Sequence, residues 1–406
     1  MGLRHAVTAV AVVSMGMPPL YLSHFLFFLS MFSDCRMSEG NQLEKKERDI
    51  AALQREVQEL TDQNKRLTAE ISLLNKELKV QTTTSNVKVQ QQEDKTAILW
   101  KGCARMPCGI VRPHVVVKGK VVYVGGGNTG KLETTRTVYS YDTEVNVWSS
   151  LPITPYYTFS MALVQGYVTV IGGVNVISSL VTNTLFSFDE EKTERWCQRF
   201  PAMPTKRCAT SAVSTESCLV VVGGIAENER VYLDVVEILD LSSLTWLKAE
   251  PVPKAVTFMS IAACSVTNRI YLLGGLTRRG AIQSVFSSYI PDLVGSCNKA
   301  SDAWEEITEA PFARSGGAAI NGKLITASGL DSKDMTTTAM YAFDPNTKKW
   351  EALGDMAAAR SSCSLAVLSE NRVLVIGGYV DPRNWMTSLT LDVMESVNLN
   401  VPRQDI

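Results

Sequence analysis

VTVIGG at 168–173 and VVVGG at 220–224 are one phrase written twice: a short run of β-branched residues that ends in a pair of glycines. Working outward, the phrase recurs as VVYVGG at 121–126, IYLLGG at 270–275, ITASG at 325–329 and VLVIGG at 373–378. The last glycines of successive copies stand 47, 51, 51, 54 and 49 residues apart, which makes six copies of one unit. Runs this short and this rich in valine and isoleucine form strands. The pairs Gly125-Gly126, Gly172-Gly173, Gly223-Gly224, Gly274-Gly275 and Gly377-Gly378, with Ser328-Gly329 in the fifth copy, mark places where the backbone turns tightly or another chain segment crowds it.

Each copy continues in the same order. After a variable loop comes a strand that ends in a large residue and Asp: Tyr141-Asp142, Phe188-Asp189, Leu239-Asp240 and Phe343-Asp344. Six or seven residues further on stands a tryptophan, Trp148, Trp196, Trp246 or Trp350, and in copy four an insertion delays it to Trp304. One such unit cannot bury both faces of its sheet, but a closed ring of six can, and closure protects the sheet edges. The sixth copy ends after one more strand near 393–398 and lacks its tryptophan strand. That strand stands at the other end of the repeat region, as AILW with Trp100. The spacing therefore predicts an all-β, six-bladed propeller over 97–400 whose N-terminal strand completes the last blade.

In its GG…(Y/F)D…W pattern the chain resembles the kelch-repeat family, over about 97–400. It departs from that pattern at Ser328, in the lost aromatic-Asp pair of copies four and six, and at Trp385, which lies in the long loop YVDPRNWMTS of the last copy. The family pattern also has an arginine between each tryptophan strand and the next blade, and this chain shows MPTKRCAT with Arg207, APFARSGG with Arg314 and MAAARSSC with Arg360. In related propeller adaptors such arginines line one mouth of the central channel and grip acidic peptides. The resemblance implies that role for these three, with Arg112, Tyr156, Tyr157 and Phe258 near the position in other blades. Arginine forks suit carboxylates, and an aromatic-plus-arginine rim suits a peptide hot spot.

Ahead of the repeats, 37–80 carries a seven-residue period. Leu43, Ile50, Val57, Asn64, Ile71 and Leu78 occupy position a; Lys46, Leu53, Leu60, Leu67 and Leu74 occupy position d. β-Branched a residues with leucine at d favour a parallel two-stranded coiled coil, and one buried asparagine at a fixes register and partner number. We expect a homodimer held by Ile50, Leu53, Val57, Leu60, Asn64, Leu67, Ile71 and Leu74. Residues 81–96 have few large apolar groups and form a flexible linker in this reading. Residues 6–33 carry no Asp, Glu, Lys or Arg. Three readings of 1–36 stay open: a signal anchor, a signal peptide, or an upstream extension with translation starting at Met37. Pro18-Pro19 weighs against the anchor.

Composition narrows the function. Forty basic and 41 acidic residues nearly cancel, which argues against nucleic acid. Nine scattered cysteines and no Asn-x-Ser/Thr sequon point to a reducing compartment, the cytoplasm. The repeats contain one histidine, His114. That excludes the two-histidine copper site of galactose-oxidase-like propellers and leaves His114 as the one imidazole a Ser-His-Asp set in the repeats could use. Cys103, Cys108 and His114 have no metal-ligand spacing, and VGGGNTGK at 124–131 is no phosphate loop. We expect no cofactor, no metal and no catalysis, and a scaffold that binds protein partners, acidic motifs among them. The alternatives are a ubiquitin-ligase substrate adaptor, although no BTB or F-box domain fits in 37–96, an actin-associated kelch protein, or a carboxylate-based enzyme.

Overall fold

A computed structural model describes residues 100–129, 134–190, 195–226, 231–289, 304–380, 390–392 and 394–399, together with part of the segment 50–62. The chain divides into two units, Met1–Lys95 and Thr96–Ile406. In the first unit Ile50, Ala51, Ala52, Gln54, Arg55, Gln58, Glu59 and Asp62 are helical, and Gln58 donates to Asp62 one turn on, at 3.2 Å. Of the expected dimer seam only Ile50 is among them; Leu53, Val57, Leu60, Asn64, Leu67, Ile71 and Leu74 lie outside the described residues, as does Trp385.

The second unit contains six four-stranded antiparallel sheets. Blade 1 runs His114–Lys118, Val121–Gly125, Tyr139–Asp142, Val147–Ser150. Blades 2 to 5 begin at Ser160, Ser211, Ser260 and Gly316 and repeat the order. Blade 6 has Ser364–Ser369, Arg372–Ile376 and Met394–Asn398, and its fourth strand is Trp100–Gly102. Trp100 pairs with Val397 and Gly102 with Glu395, so the two ends of the repeat region close the ring as the repeat count requires. The first strands of neighbouring blades touch all the way round.

Six apolar clusters fill the six gaps between blades. Val122, Val124 and Tyr141 of blade 1 pack on Leu374, Ile376 and Met394 of blade 6, and the other five gaps are filled the same way. Because both faces of each blade are covered, its second strand is a continuous apolar run rather than an alternating one: all five residues of Cys218–Val222 are buried. The tryptophan plates of blades 1 to 5 each enter the gap toward the preceding blade, and each indole N–H donates there to a backbone carbonyl. Trp148 reaches Ala104 (3.0 Å), Trp196 Pro152 (2.7 Å), Trp246 Pro201 (3.0 Å), Trp304 Glu250 (3.2 Å) and Trp350 Glu309 (2.8 Å). Each acceptor lies four or five residues beyond the preceding blade's own tryptophan, so one residue type fills the gap and sets the spacing.

The aspartates of the pattern cap the turn into the tryptophan strand. Asp142 Oδ1 accepts from the amides of Glu144 and Val145, and Asp240 and Asp344 do the same two and three residues on. In blade 4 Tyr289 holds the aspartate's register opposite Arg269, whose guanidinium stacks on its ring at 3.7 Å.

In blade 1 the left-handed glycine pair is Gly126-Gly127 (φ 66° and 71°), one residue later than the sequence pattern suggested; Gly125 sits inside the strand, where a Cβ would meet Val138 at 2.9 Å. In the other blades the expected pairs hold, and Ser328 adopts φ 60° without being glycine. A Cβ at Gly223 would collide with the Val256 carbonyl, whereas at Gly274 the nearest atom is Ile282 O at 3.1 Å. We expect Gly274→Ala to cost about 1–2 kcal/mol of backbone strain. Gly223→Ala should cost clearly more, because strain and collision add; urea unfolding of the two variants checks the order.

Candidate functional site

The connectors between blades carry side chains at two levels over the channel. Two residues before the first strand of each blade stand Arg112, Thr158, Ala209, Phe258, Arg314 and Ser362, all left-handed with φ between 50° and 55°. This conformation turns the chain into the strand and forms the narrow mouth of the channel. Four residues before each strand stand Ile110, Tyr156, Arg207, Val256, Phe312 and Arg360. Arg207 and Arg360, expected beside Arg314, therefore sit two residues out of step with it.

The consequence is large. Arg207 and Arg360 have no exposed side-chain surface. Arg207 pairs with Glu237 at 2.5 Å and donates to the carbonyls of Gly223 (3.1 Å) and Val235 (3.0 Å). Arg360 pairs with Glu395 and donates to the Gly377 carbonyl at 3.2 Å. Both arginines tie a connector to the glycine turn and third strand of a blade, and neither can meet a partner. Burial holds the Arg207 guanidinium below its ordinary range, opposed by the Glu237 charge. Tyr156, at the same level, is also buried, with its hydroxyl accepting from Thr184 at 2.9 Å; Tyr157 is half-buried.

Arg112, Arg314 and Phe258 do reach the mouth. The Arg112 guanidinium lies 4.4 Å from the centre of the Phe258 ring, which comes from blade 4 on the far side of the channel. Arg314 donates to the Tyr379 hydroxyl at 2.7 Å, and its Nε has no partner among the described residues. No carboxylate among the described residues pairs with either guanidinium. Burial first, and then the Arg314 charge, pull Arg112 down to about 10. Two arginines near enough to repel, with no anion between them, form an electropositive spot that favours an incoming carboxylate or phosphate. Below it the channel encloses about 110 Å³, lined by Arg112, His114, Phe258, Arg314 and a set of serines.

Sequence reasoning missed Thr158, Ala209, Ser362, Tyr379 and the serines. The signal was present as register: counting back a fixed two residues from each first strand finds the mouth, whereas matching arginines by their flanking residues does not. Serines at the first strand position staple neighbouring blades inside the channel. Ser211 donates to Met259 O (2.7 Å), Ser260 to Ser315 O (3.2 Å) and Ser364 to Pro113 O. His114 occupies this position in blade 1 and its Nδ1 meets Ser160 Oγ at 3.2 Å. Burial pushes His114 down to about 4, so its imidazole is neutral.

No cluster of three or more His, Cys, Asp or Glu suited to a metal occurs among the described residues. No helix there is long and apolar enough to cross a membrane, and 6–33 lies outside them. Among the described residues no disulfide joins Cys103, Cys108, Cys197, Cys208, Cys218, Cys264 or Cys363.

A six-bladed ring with a terminal strand as its clasp, glycine turns, indole staples and arginines at the mouth defines a class of interaction propeller. Residues 158–378 match the family model of the KLHDC2/KLHL20/DRC7 Kelch-repeats domain, and 111–154 match the Kelch motif. The chain belongs to the kelch-repeat family. It is 30% identical over 194 residues to Kelch-like protein 25 of Xenopus tropicalis, covering 46% of this chain and 31% of that protein. Kelch-like protein 40 of the same organism is 27% identical over 188 residues, covering 45% and 28%. The match thus spans less than a third of these relatives. A solved structure described as "Structure of YjhT" superposes with a TM-score of 0.58 at 16% identity, covering 72% of this chain and 95% of that one, and shows the shared fold.

Arg207→Ala strands Glu237 without its counter-charge and should cost about 3–5 kcal/mol by chemical denaturation. Arg112→Ala removes one stacking contact and should cost about 1 kcal/mol or less. The His114 prediction has a sign. Its folded value lies below the ordinary 6.5, so the unfolded chain takes up more protons between pH 6.5 and about 4. Stability should fall as pH drops through that window, and the slope should be shallower in His114→Gln, measured by melting temperature against pH.

Proposed function

We propose that this chain is a non-catalytic protein-binding scaffold that takes acidic segments of its partners at the channel mouth. The observation that carries this is the pair Arg112 and Arg314, which stand together without a carboxylate partner among the described residues. Phe258 supplies apolar surface beside the charge, the combination found in peptide hot spots. Kinship with Kelch-like proteins supports a protein-interaction role in general. The heptads over 43–78 would join two propellers and raise avidity for repeated partners. Cytoplasmic residence follows from the cysteine usage. Ubiquitin-ligase or actin association would come through the partner captured, and no residue on the mouth favours either.

The test is selection of a random peptide library on the full chain and on Arg112→Glu/Arg314→Glu, with melting curves confirming that both fold. Binders to the parent should be enriched in Asp and Glu, and they should be lost on the double variant. Binders without acidic residues, or acidic binders held equally by both proteins, would sink the mouth as the acidic site. Arg207→Ala should retain the same peptides at temperatures where it is folded.

A further inference from the structure

The ring is not uniform. At four of the six seams two backbone hydrogen bonds cross the mouth side, one between left-handed residues and one from the second glycine to the next connector. The first kind is Arg112 to Ser362, Ala209 to Thr158, Phe258 to Ala209 and Ser362 to Arg314, with N···O between 2.8 and 3.3 Å. The second kind is Gly173 to Arg207, Gly224 to Val256, Gly329 to Arg360 and Gly378 to Ile110, between 2.8 and 3.1 Å. Neither kind joins blade 1 to blade 2 or blade 4 to blade 5 among the described residues. These two seams lie opposite each other in a ring of six.

The side chains explain the difference. At the four bonded seams the connector residue four before the strand is Ile110, Arg207, Val256 or Arg360, each with no exposed surface. At the other two it is an aromatic, Tyr156 or Phe312. Phe312 is incompletely buried and packs edge-on against Tyr341 of its own blade, at 5.8 Å. At Gly274 the atom nearest a built Cβ is accordingly Ile282 O of the same blade, at 3.1 Å, whereas at Gly172, Gly223 and Gly377 it is the carbonyl of the next connector. On the opposite face the seam between blades 4 and 5 carries a groove of about 410 Å³ between Tyr289 and Ile307 on one side and Pro345 and Asn346 on the other. Lys348 and Glu305 meet across it at 3.4 Å, both exposed. Inside the channel each weak seam keeps one side-chain bond, His114 with Ser160 and Ser260 with the Ser315 carbonyl, both at 3.2 Å.

We infer that the propeller is two rigid half-rings, blades 2–3–4 and blades 5–6–1, and that the channel mouth opens along the line joining the two weak seams, with the Arg112–Phe258 stack as the latch. Arg112 belongs to one half and Phe258 to the other, so their 4.4 Å contact bridges the mouth between the halves. Hinge motion of this kind needs a few weak contacts flanked by stiff bodies. Among the described residues both backbone bonds are missing at two opposite seams and present at the other four, so these seams are loosened on the mouth side. Lys118 and the Tyr123 hydroxyl on Glu190 (3.0 and 2.8 Å) and Lys348 on Glu305 still cross them away from the mouth.

The test is pulsed electron-spin distance measurement on the full chain, with labels carried by non-natural residues because the chain has nine cysteines. Exposed positions Ser178, Arg278 and Val380 lie on the mouth-side loops of blades 2, 4 and 6. The pair 178–278 spans two blades within one half, and the pair 278–380 spans two blades across a weak seam. The distribution for 278–380 should contain a second, longer component that 178–278 lacks. Phe258→Ala should enlarge that component only in 278–380, and so should Arg112→Gln, which breaks the stack from the other side. Alanine suits the site, since Ala209 already holds the same left-handed conformation. One narrow distribution for both pairs in all three proteins would overturn the inference, as would equal broadening of both pairs.

Discussion

Everything in the propeller depends on the pairing of Trp100–Gly102 with Met394–Asn398. Each blade is a small twisted sheet with two apolar faces, and neither face is covered by anything within its own repeat. Only neighbours can cover them, and the first and last repeats have neighbours on both sides only if the ring closes. Closure through a strand contributed by the far end of the repeat region makes the six interblade clusters equivalent and leaves no blade half exposed. The ion pair of Arg360 with Glu395 and the bond from the Met106 amide to the Asp392 carbonyl lie beside this clasp and fasten it further.

Within that frame the same buried chemistry serves different ends at neighbouring positions. An arginine four residues before a strand is enclosed, spends its donors on a glutamate and on carbonyls, and holds the connector down. An arginine two residues before a strand takes a left-handed turn into the mouth and has no carboxylate partner among the described residues. A shift of two residues along a connector converts a structural guanidinium into a candidate binding group. The difference is not one of residue type but of where the first strand begins.

The repeat was legible in residues alone because its markers answer to strict physical needs. Glycine supplies left-handed turns where a carbonyl presses on the backbone, aspartate caps a turn, and tryptophan fills a gap while its N–H reaches across it. Where a marker changed, a substitute of a different kind took its place: Tyr289 with Arg269 stands where blades 1, 3 and 5 use aspartate, and Ser328 accepts the left-handed turn. The glycine pair of blade 1 was misplaced by one residue because GGG at 125–127 offers two frames and only strand pairing chooses between them. The arginines misled for a similar reason, since the connectors MPTKRCAT, APFARSGG and MAAARSSC look alike while their strands start at different offsets from the arginine.

The sequence by itself determined the number of blades, the order of strands within each and the closing strand, because a unit with two apolar faces and a fixed period has only one economical way to bury them. Only the tertiary structure decided which arginines face the channel, that Arg112 crosses to Phe258, and that two opposite seams lack, among the described residues, the backbone bonds of the other four. Those features depend on distances between residues far apart in the chain, set by how deeply each connector side chain tucks between blades. A local pattern carries no record of that depth.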